Sequence, residues 1–173
     1  IMKIEEQLDA GPVCNSYKIE ITNIDNAEMI SEKLSSLAAE KILDNIDDIF
    51  DEKIDFKEQN HDKATYASKI LKAEGEIKWN ESAENIIGKI KGLYPNPGAF
   101  FIYKGERYKI LKAELSSGVG EIGDVLDNYL EISCGNKKSI KVIEIQRQGK
   151  RPQKTSEFMF GSLIKKGSNL RNE

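Results

Sequence analysis

The chain has 173 residues, of which 39% are hydrophobic and 32% are charged, and its formal net charge is −3. This composition supports one packed domain or two small ones. The apolar runs are only a few residues long, which excludes a transmembrane helix and a signal peptide. Cys14 and Cys134 match no metal-ligand spacing, so we expect two reduced thiols and no metal site.

The net charge hides a strong asymmetry along the chain. Residues 1–62 carry 6 Lys+Arg against 16 Asp+Glu, a net charge of −10, whereas residues 137–173 carry 10 against 3, a net charge of +7. A basic end attracts a polyanion such as nucleic acid, although a solvated lysine-rich surface explains the same composition equally well.

The first segment has the pattern of two strands separated by an acidic turn. Residues 1–5 and 13–21 are interpreted as strands, and the second of them alternates between apolar and polar side chains. The turn Leu8-Asp9-Ala10-Gly11-Pro12 is of the kind that places a carboxylate at the end of a strand. Because the chain starts within an element and its first residue is not methionine, we expect it to be the later part of a longer protein.

A long helix is predicted next, over residues 26–50. Asp25-Asn26-Ala27-Glu28 has the pattern of a capping box with Asp25 as the cap. The apolar residues of the helix recur at spacings of three and four, which indicates a stripe for core or domain packing rather than a cofactor site. Residues 51–65 are polar and aperiodic and are interpreted as a linker. The single histidine, His61, lies there without a partner at catalytic or metal spacing and is interpreted as a surface residue.

A second helix is predicted over residues 81–93, capped by Asn80, with a buried face. Gly88 inside this helix suggests that another backbone packs closely against it. The expected buried residues of the helix are Ala83, Ile86, Ile87, Ile90 and Leu93.

From residue 99 the apolar period changes to two, which is typical of strands. Lys104-Gly105-Glu106 is predicted as a hairpin turn, and further strands are expected at residues 123–126, 129–133 and 139–146. Apolar residues lie on both faces of the last strand, which indicates either two buried faces or a bulge near Val142. About five short strands in this stretch favour a small closed barrel of the OB-like kind. A short helix over residues 155–164 and a basic tail complete the prediction.

Four sequence blocks, taken in order, resemble the methionyl-tRNA formyltransferase family over nearly the whole chain. They are residues 1–12, ending in LDAGP; residues 64–70, ATYASKI; residues 77–83, IKWNESA, leading into YPNPGA at 94–99; and residues 148–152, QGKRP, followed by Glu157-Phe158 and Gly161. The resemblance implies transfer of a formyl group from 10-formyltetrahydrofolate to the amino group of methionyl initiator tRNA, in a bacterial-type cytoplasm or an organelle. It implies no membrane, no metal and no protein partner.

The same resemblance implies a fold class of α/β followed by β. Residues 1–50 are then the C-terminal end of a Rossmann-like formyltransferase domain. Residues 51–92 are a linker and connecting helix, and residues 93–173 are an OB-like tRNA-binding domain.

The family's active site consists of an Asn-x-His pair and a later aspartate, and Asp9 matches that aspartate. Leu8 and Gly11 are its neighbours in the loop beside the folate. A carboxylate next to a histidine can orient the ring and help to move the proton that the attacking amine loses. This chain contains no Asn-x-His pair, and His61 does not replace it. We therefore predict that the chain alone transfers no formyl group.

The resemblance places tRNA binding in the basic C-terminal module, where lysine and arginine suit phosphate contacts. Phe100, Phe101, Tyr103 and Tyr108 are interpreted as core residues rather than as a surface for base stacking. The strongest basic cluster is residues 150–154. The candidate tRNA-binding residues are Lys137, Lys138, Arg147, Lys150, Arg151 and Lys154, with Lys141, Lys165 and Lys166 as further basic side chains.

Two alternatives stay open from the sequence. An amino-sugar-nucleotide formyltransferase would share the LDAGP turn and an appended barrel, although its small acceptor gives the basic tail little purpose. A non-catalytic RNA-binding barrel would need no active site at all. An Asn-x-His motif upstream of residue 1 would favour an enzyme.

Overall fold

The computed structural model describes residues 1–171, and the chain divides into two compact units, Ile1–Lys69 and Ile70–Glu173. The first unit contains α1, Ala27–Phe50. The second contains α2 (Ala83–Gly92), β1 (Ala99–Tyr103), β2 (Glu106–Ser116), β3 (Glu131–Ser133), β4 (Ser139–Arg147), β5 (Gln153–Lys154) and α3 (Thr155–Gly161). The predicted domain boundaries at residues 50 and 92 stay a prediction. No helix within residues 1–171 combines the length and the apolar character needed to cross a membrane.

Helix α1 starts one residue later than predicted, with Asn26 as its cap. The Asn26 side chain accepts a 2.9 Å hydrogen bond from the backbone N–H of Met29. The predicted cap, Asp25, is wrong because its carboxylate is already occupied. It accepts hydrogen bonds from Lys33 at 2.7 Å and from the backbone N–H of Thr22 at 2.8 Å. The Lys33 hydrogen bond is the main cause that lowers the pKa of Asp25 to about 2.

The apolar stripe of α1 is not packed within the first unit. No residue of the helix is buried among the residues that the structure describes, and Leu34 is 47% exposed. The stripe therefore forms no core within the first unit, and the alternative, that it packs against another domain, stays a prediction.

The two strands predicted at residues 1–5 and 13–21 are also wrong. Isolated bridges join Met2 to Val13 and Val13 to Lys57, and the described residues form no longer ladder there. A strand needs a neighbour with which it exchanges hydrogen bonds residue after residue. Apolar alternation in the sequence does not supply that neighbour.

The second unit is built on an antiparallel sheet with strand order β1-β2-β4-β3, in which β5 also pairs with β4. Lys104 and Gly105 connect β1 to β2, and their φ angles of 49° and 75° match the two-residue hairpin turn that suits twisted strands. Strands β1 and β3 end the path of the sheet without pairing with each other. The sheet is open, so the closed OB-like barrel is not confirmed. The strand predicted at residues 123–126 is reduced to isolated bridges.

A paired irregularity in β2 and β4 confirms the predicted bulge near Val142. The register shift leaves Leu111 on β2 and Ile143 on β4 without directly opposed partners. Ile140 and Val142 before the shift and Ile145 after it are all buried. In a regular strand, side chains point alternately to opposite faces, so residues three apart, such as Val142 and Ile145, would face opposite ways. The extra residue, Ile143, allows both of them to face the core.

Helix α2 covers this core with the predicted apolar face. Ala83, Ile86, Ile87 and Ile90 are buried, whereas Leu93 is only partly buried. The cap is Ser82 rather than Asn80, because Ser82 Oγ accepts the hydrogen bond from the third helical N–H, that of Asn85, at 3.2 Å. Outside the backbone of its own helix, Gly88 has no described atom within 4 Å of the position that a Cβ would take. The predicted close backbone contact at Gly88 is therefore wrong.

Four aromatic rings cross the core in a continuous series. Trp79 meets Phe101 edge-on at 5.7 Å between ring centroids, Phe101 stacks on Tyr108 at 5.4 Å, and Tyr108 meets Phe158 edge-on at 5.7 Å. These geometries are the favoured ones for aromatic pairs. The interpretation of Phe101 and Tyr108 as core residues is confirmed, and Phe100 and Tyr103 are buried as well.

Candidate nucleic-acid interface

A groove of about 340 Å³ lies between the end of β4, the loop after it and α3. Three of the predicted tRNA-binding residues meet in it: Arg147, Lys150 and Arg151. The other lining residues are Tyr108, Gln153, Glu157, Phe158, Gly161, Ser162 and Leu163. The groove thus combines cationic side chains with an apolar floor.

The loop that carries Lys150 and Arg151 is fixed by its own hydrogen bonds. The backbone N–H of Lys150 donates to the Arg147 carbonyl at 3.0 Å, and Gln146 Nε2 donates to the Lys150 carbonyl at 2.9 Å. Gly149 has a φ of 72°, a left-handed conformation that glycine adopts without strain. Both basic side chains are exposed, and no salt bridge within residues 1–171 engages either of them.

Arg147 differs from its two neighbours because it already has an acidic partner. Its guanidinium donates to the Glu106 carboxylate, which also accepts a 2.8 Å hydrogen bond from the Tyr108 hydroxyl. The Arg147 hydrogen bond is the main cause that lowers the pKa of Glu106. Burial, followed by the hydrogen bond to Glu106, raises the pKa of Tyr108 to about 12. Sequence reasoning missed Glu106, which lies 41 residues from Arg147 and carries no local signal.

The remaining predicted basic residues do not line the groove. Lys137 and Lys138 lie in the turn between β3 and β4, and Lys138 donates to Glu84 at the start of α2. That hydrogen bond is the main cause that lowers the pKa of Glu84. Lys154 is exposed on β5. The predicted set is therefore divided among the groove, the β3–β4 turn that is bound to α2, and β5.

The predicted catalytic residue, Asp9, lies in the first unit on an exposed turn, with a left-handed φ of 53°. Gln59 holds this turn: its Nε2 donates to the carbonyls of Asp9 at 2.9 Å and of Gly11 at 2.7 Å. A Cβ on Gly11 would lie 1.9 Å from the Lys3 carbonyl oxygen, so only glycine fits there. Sequence reasoning missed Gln59 because it lies in the stretch interpreted as a linker.

The residues around Asp9 do not by themselves form a folate pocket. Leu8 is 86% exposed, and no hydrogen bond or ion pair among the described residues engages the Asp9 carboxylate. His61 is exposed as predicted. The described part of the chain contains no cluster of three or more His, Cys, Asp or Glu side chains suited to a metal ion. The turn therefore offers one exposed carboxylate, that of Asp9, with no partner among the described residues.

Comparison with known proteins defines the class of this fold. Residues 69–163 match the family described as formyl transferase, C-terminal domain. Because that match covers more than half of the chain, the chain belongs to the formyl transferases.

The curated relatives are similar to the chain over nearly its whole length. It is 67% identical to methionyl-tRNA formyltransferase of Pelagibacter ubique, over 99% of this chain and 56% of that protein. It is 36% identical to methionyl-tRNA formyltransferase of Bradyrhizobium diazoefficiens, over 97% of this chain and 55% of that protein. The resemblance to this family is thereby confirmed, and the chain spans about half the length of the curated relatives it matches.

Two solved structures have a similar fold. HypX from Aquifex aeolicus, in complex with tetrahydrofolic acid, has a TM-score of 0.71 at 15% identity, over 95% of this chain and 30% of that chain. An N-formyltransferase from Helicobacter canadensis, in complex with folinic acid and dTDP-3-aminofucose, has a TM-score of 0.65 at 19% identity, over 84% of this chain and 54% of that chain. At these identities the likeness establishes the fold alone.

Proposed function

We propose that the chain is the tRNA-binding C-terminal part of a methionyl-tRNA formyltransferase. Such an enzyme transfers a formyl group from 10-formyltetrahydrofolate to the amino group of methionyl initiator tRNA at the start of translation. The observation that carries this proposal is the groove beside β4, where Lys150 and Arg151 are exposed on a fixed loop without an acidic partner among residues 1–171. The 67% identity to the Pelagibacter ubique protein supports it.

The groove is expected to contact phosphates rather than bases. Lysine and arginine that neutralise phosphates release counterions, which gives affinity that falls steeply with salt. Contacts of this kind set position and orientation but carry little sequence information. Arg147 contributes less than Lys150 or Arg151, because Glu106 already neutralises part of its charge.

The remaining parts of the proposal rest on the resemblance to the family rather than on the geometry of the structure. Residues 1–50 close a Rossmann-like formyltransferase domain, Asp9 is its catalytic carboxylate, and Leu8 and Gly11 border the folate. The open sheet of the second unit corresponds to an OB-like domain. The protein acts in a bacterial-type cytoplasm or an organelle, without a membrane or a protein partner.

The tRNA proposal is tested by measuring binding of the chain to initiator tRNA across a salt series. Alanine at Lys150, Arg151 and Lys154 together should reduce the slope of log K against log salt by about 3, and alanine at Arg147 by less than about 1. Lys63→Ala with Lys69→Ala, two exposed residues of the first unit, is the control and should leave the slope unchanged. Absence of binding at low salt contradicts the proposal.

Catalysis is tested separately with methionyl initiator tRNA and 10-formyltetrahydrofolate. Of the family's catalytic residues the chain alone offers Asp9 and no Asn-x-His pair, so we expect no formylation above background. Formylation by the chain alone would contradict the expectation that catalysis requires an Asn-x-His pair. Binding of tRNA without any formylation in a longer form of the protein would favour the non-catalytic RNA-binding alternative. Formylation of an amino-sugar nucleotide by that longer form would favour the sugar alternative.

A further inference from the structure

Two cations lie side by side on the outer face of the β1–β2 hairpin. Arg107 and Lys109 alternate along β2 with the buried residues Tyr108 and Ile110, so they share the face directed away from the core. Neither makes a salt bridge with any residue in 1–171. This face of β2 therefore carries two positive charges without an acidic partner among the described residues.

Arg107 is held rigidly and has unused hydrogen-bond donors. Its guanidinium carbon lies 3.6 Å from the centre of the Phe100 ring, which is cation–π stacking. Gly75 packs against the same ring, because a Cβ on Gly75 would lie 3.3 Å from two of the ring carbons of Phe100. Arg107 Nε is buried and has no hydrogen-bond partner among the described residues. Because Arg107 Nε is shielded from solvent, an anion reaches this guanidinium through its terminal N–H groups, which also have no hydrogen-bond partner among the described residues.

Lys109 is also held in place rather than free to move through solvent. Its side chain lies across Gly98, where an added Cβ would come within 2.5 Å of Lys109 Cδ. Its Nζ donates to the Pro95 carbonyl at 3.2 Å. Burial, together with the charge of Arg107, lowers the pKa of Lys109. The ammonium therefore lies in surroundings that lack negative charge among the described side chains.

This face adjoins the loop of the groove. The backbone N–H of Gln148 donates to the Arg107 carbonyl at 2.9 Å, so the start of β2 is bonded to the loop that carries Lys150 and Arg151. The Arg107 side chain projects from the sheet face opposite to that of its neighbour Tyr108, which lines the groove. The two cationic surfaces therefore lie on opposite faces of the sheet, at the same end of the β2–β4 pair.

We propose that Arg107 and Lys109 form a second phosphate-binding site, on the outer face of the hairpin, for the backbone of the same tRNA. The fixed planar guanidinium suits two-pronged recognition of a phosphate, and the lysine supplies a neighbouring point charge. The inference rests on the proposed function and extends the tRNA-contacting surface from the groove around the edge of the sheet. None of the tRNA-binding residues predicted from the sequence lies on this hairpin.

The test compares three proteins in the initiator tRNA salt series: the unmodified chain, Arg107→Gln with Lys109→Gln, and Lys63→Gln with Lys69→Gln. The last pair removes the same charge from exposed positions of the first unit. We expect the hairpin variant to reduce the salt slope by about 2, and the control variant to leave it unchanged. Thermal unfolding of each variant checks that the fold is retained.

A second measurement needs no substitution at the site. In the unmodified chain, the NMR resonance of the Arg107 Nε–H should shift when initiator tRNA is added, because a phosphate bound to the terminal N–H groups changes the electrostatic surroundings of the whole guanidinium. Suppose that the chain binds tRNA, that this resonance does not shift, and that the hairpin variant has the same salt slope as the unmodified chain. The hairpin site is then overturned, whereas the proposed tRNA contact at the groove is retained. If the unmodified chain does not bind tRNA at low salt, both the proposed function and this inference are overturned.

Discussion

Asn136 Oδ1 accepts a 3.1 Å hydrogen bond from the backbone N–H of Ala83, although 53 residues separate the two. Ala83 is the first residue of α2, whose opening N–H groups have no partner within the helix. The β3–β4 turn therefore satisfies a helix donor that Ser82, the cap, does not reach. The Asn136 amide also donates to Glu84 at 2.8 Å, which ties the turn to the helix twice.

Asn136→Ala is expected to lower the free energy of unfolding by about 1–2 kcal/mol, because it leaves a helix N–H without its acceptor. Urea denaturation measures the change. Asn128→Ala, in another exposed turn, is the control and should change stability by less than about 0.5 kcal/mol. Equal effects of the two substitutions would show that the contact with Ala83 adds nothing.

Two glycines of the second unit should respond to alanine in opposite directions. Gly88 lies in α2 with open space where the alanine methyl would be placed, so Gly88→Ala should stabilise the protein by about 1 kcal/mol through helix propensity. Gly98 has a φ of 80°, and Gly98→Ala should destabilise it by about 1 kcal/mol or more, since a Cβ is unfavourable there. Thermal unfolding of the pair provides the comparison. A loss of stability in Gly88→Ala would mean that α2 packs differently at that turn.

The Glu106 carboxylate should make stability depend on acid pH. Its pKa in the folded state is lowered from the ordinary value of 4.5, first by the Arg147 hydrogen bond and then by that of Tyr108. A lowered pKa contributes stability that is present above the ordinary value and is lost as the pH falls through the folded-state value. The stability difference between the unmodified chain and Glu106→Gln should therefore shrink from about pH 6 to about pH 3 in urea titrations. Glu114→Gln, an exposed residue of the same strand, is the control, and a constant difference for Glu106→Gln would contradict the assignment.

Glu106 should also weaken tRNA binding, because it competes with phosphate for Arg147. Glu106→Gln removes that competing charge, so the slope of log K against log salt should increase by about 1. The same substitution combined with Arg147→Ala should abolish the increase. If Glu106→Gln instead lowers affinity at low salt, the ion pair serves to hold Arg147 in a productive position.

Elements defined by local chemistry were predictable from the sequence, and elements defined by distant partners were not. The hairpin at Lys104-Gly105, α2 and the bulge near Val142 each depend on a turn residue or on a short local period. Strands at residues 1–5 and 13–21 depend on a neighbouring strand, which alternation does not reveal. The cap of α1 was misplaced because Asp25 and Asn26 both suit the pattern, and the choice depends on Lys33, which occupies Asp25.

The candidate site follows the same division. Lys150 and Arg151 were predictable because a basic, glycine-containing loop after a strand is a local signal. The partner of Arg147, the support of Asp9 by Gln59 and the stacking of Arg107 on Phe100 all join residues distant in sequence or on neighbouring strands. Ion pairs and stacks of this kind depend on how the chain packs, which the sequence does not show directly. The charge distribution along the sequence therefore predicted a basic surface only in the last part of the chain.

The paired bulge at Leu111 and Ile143 has a consequence for how this domain can change length. Deleting Ile143 alone would place Ile145 two positions after Val142, so both would still face the core, but Leu111 would remain as an unmatched bulge on β2. Deleting Leu111 together with Ile143 would restore regular pairing at the cost of the local bend. Length changes within these two strands should therefore be tolerated best when both bulge residues are lost together.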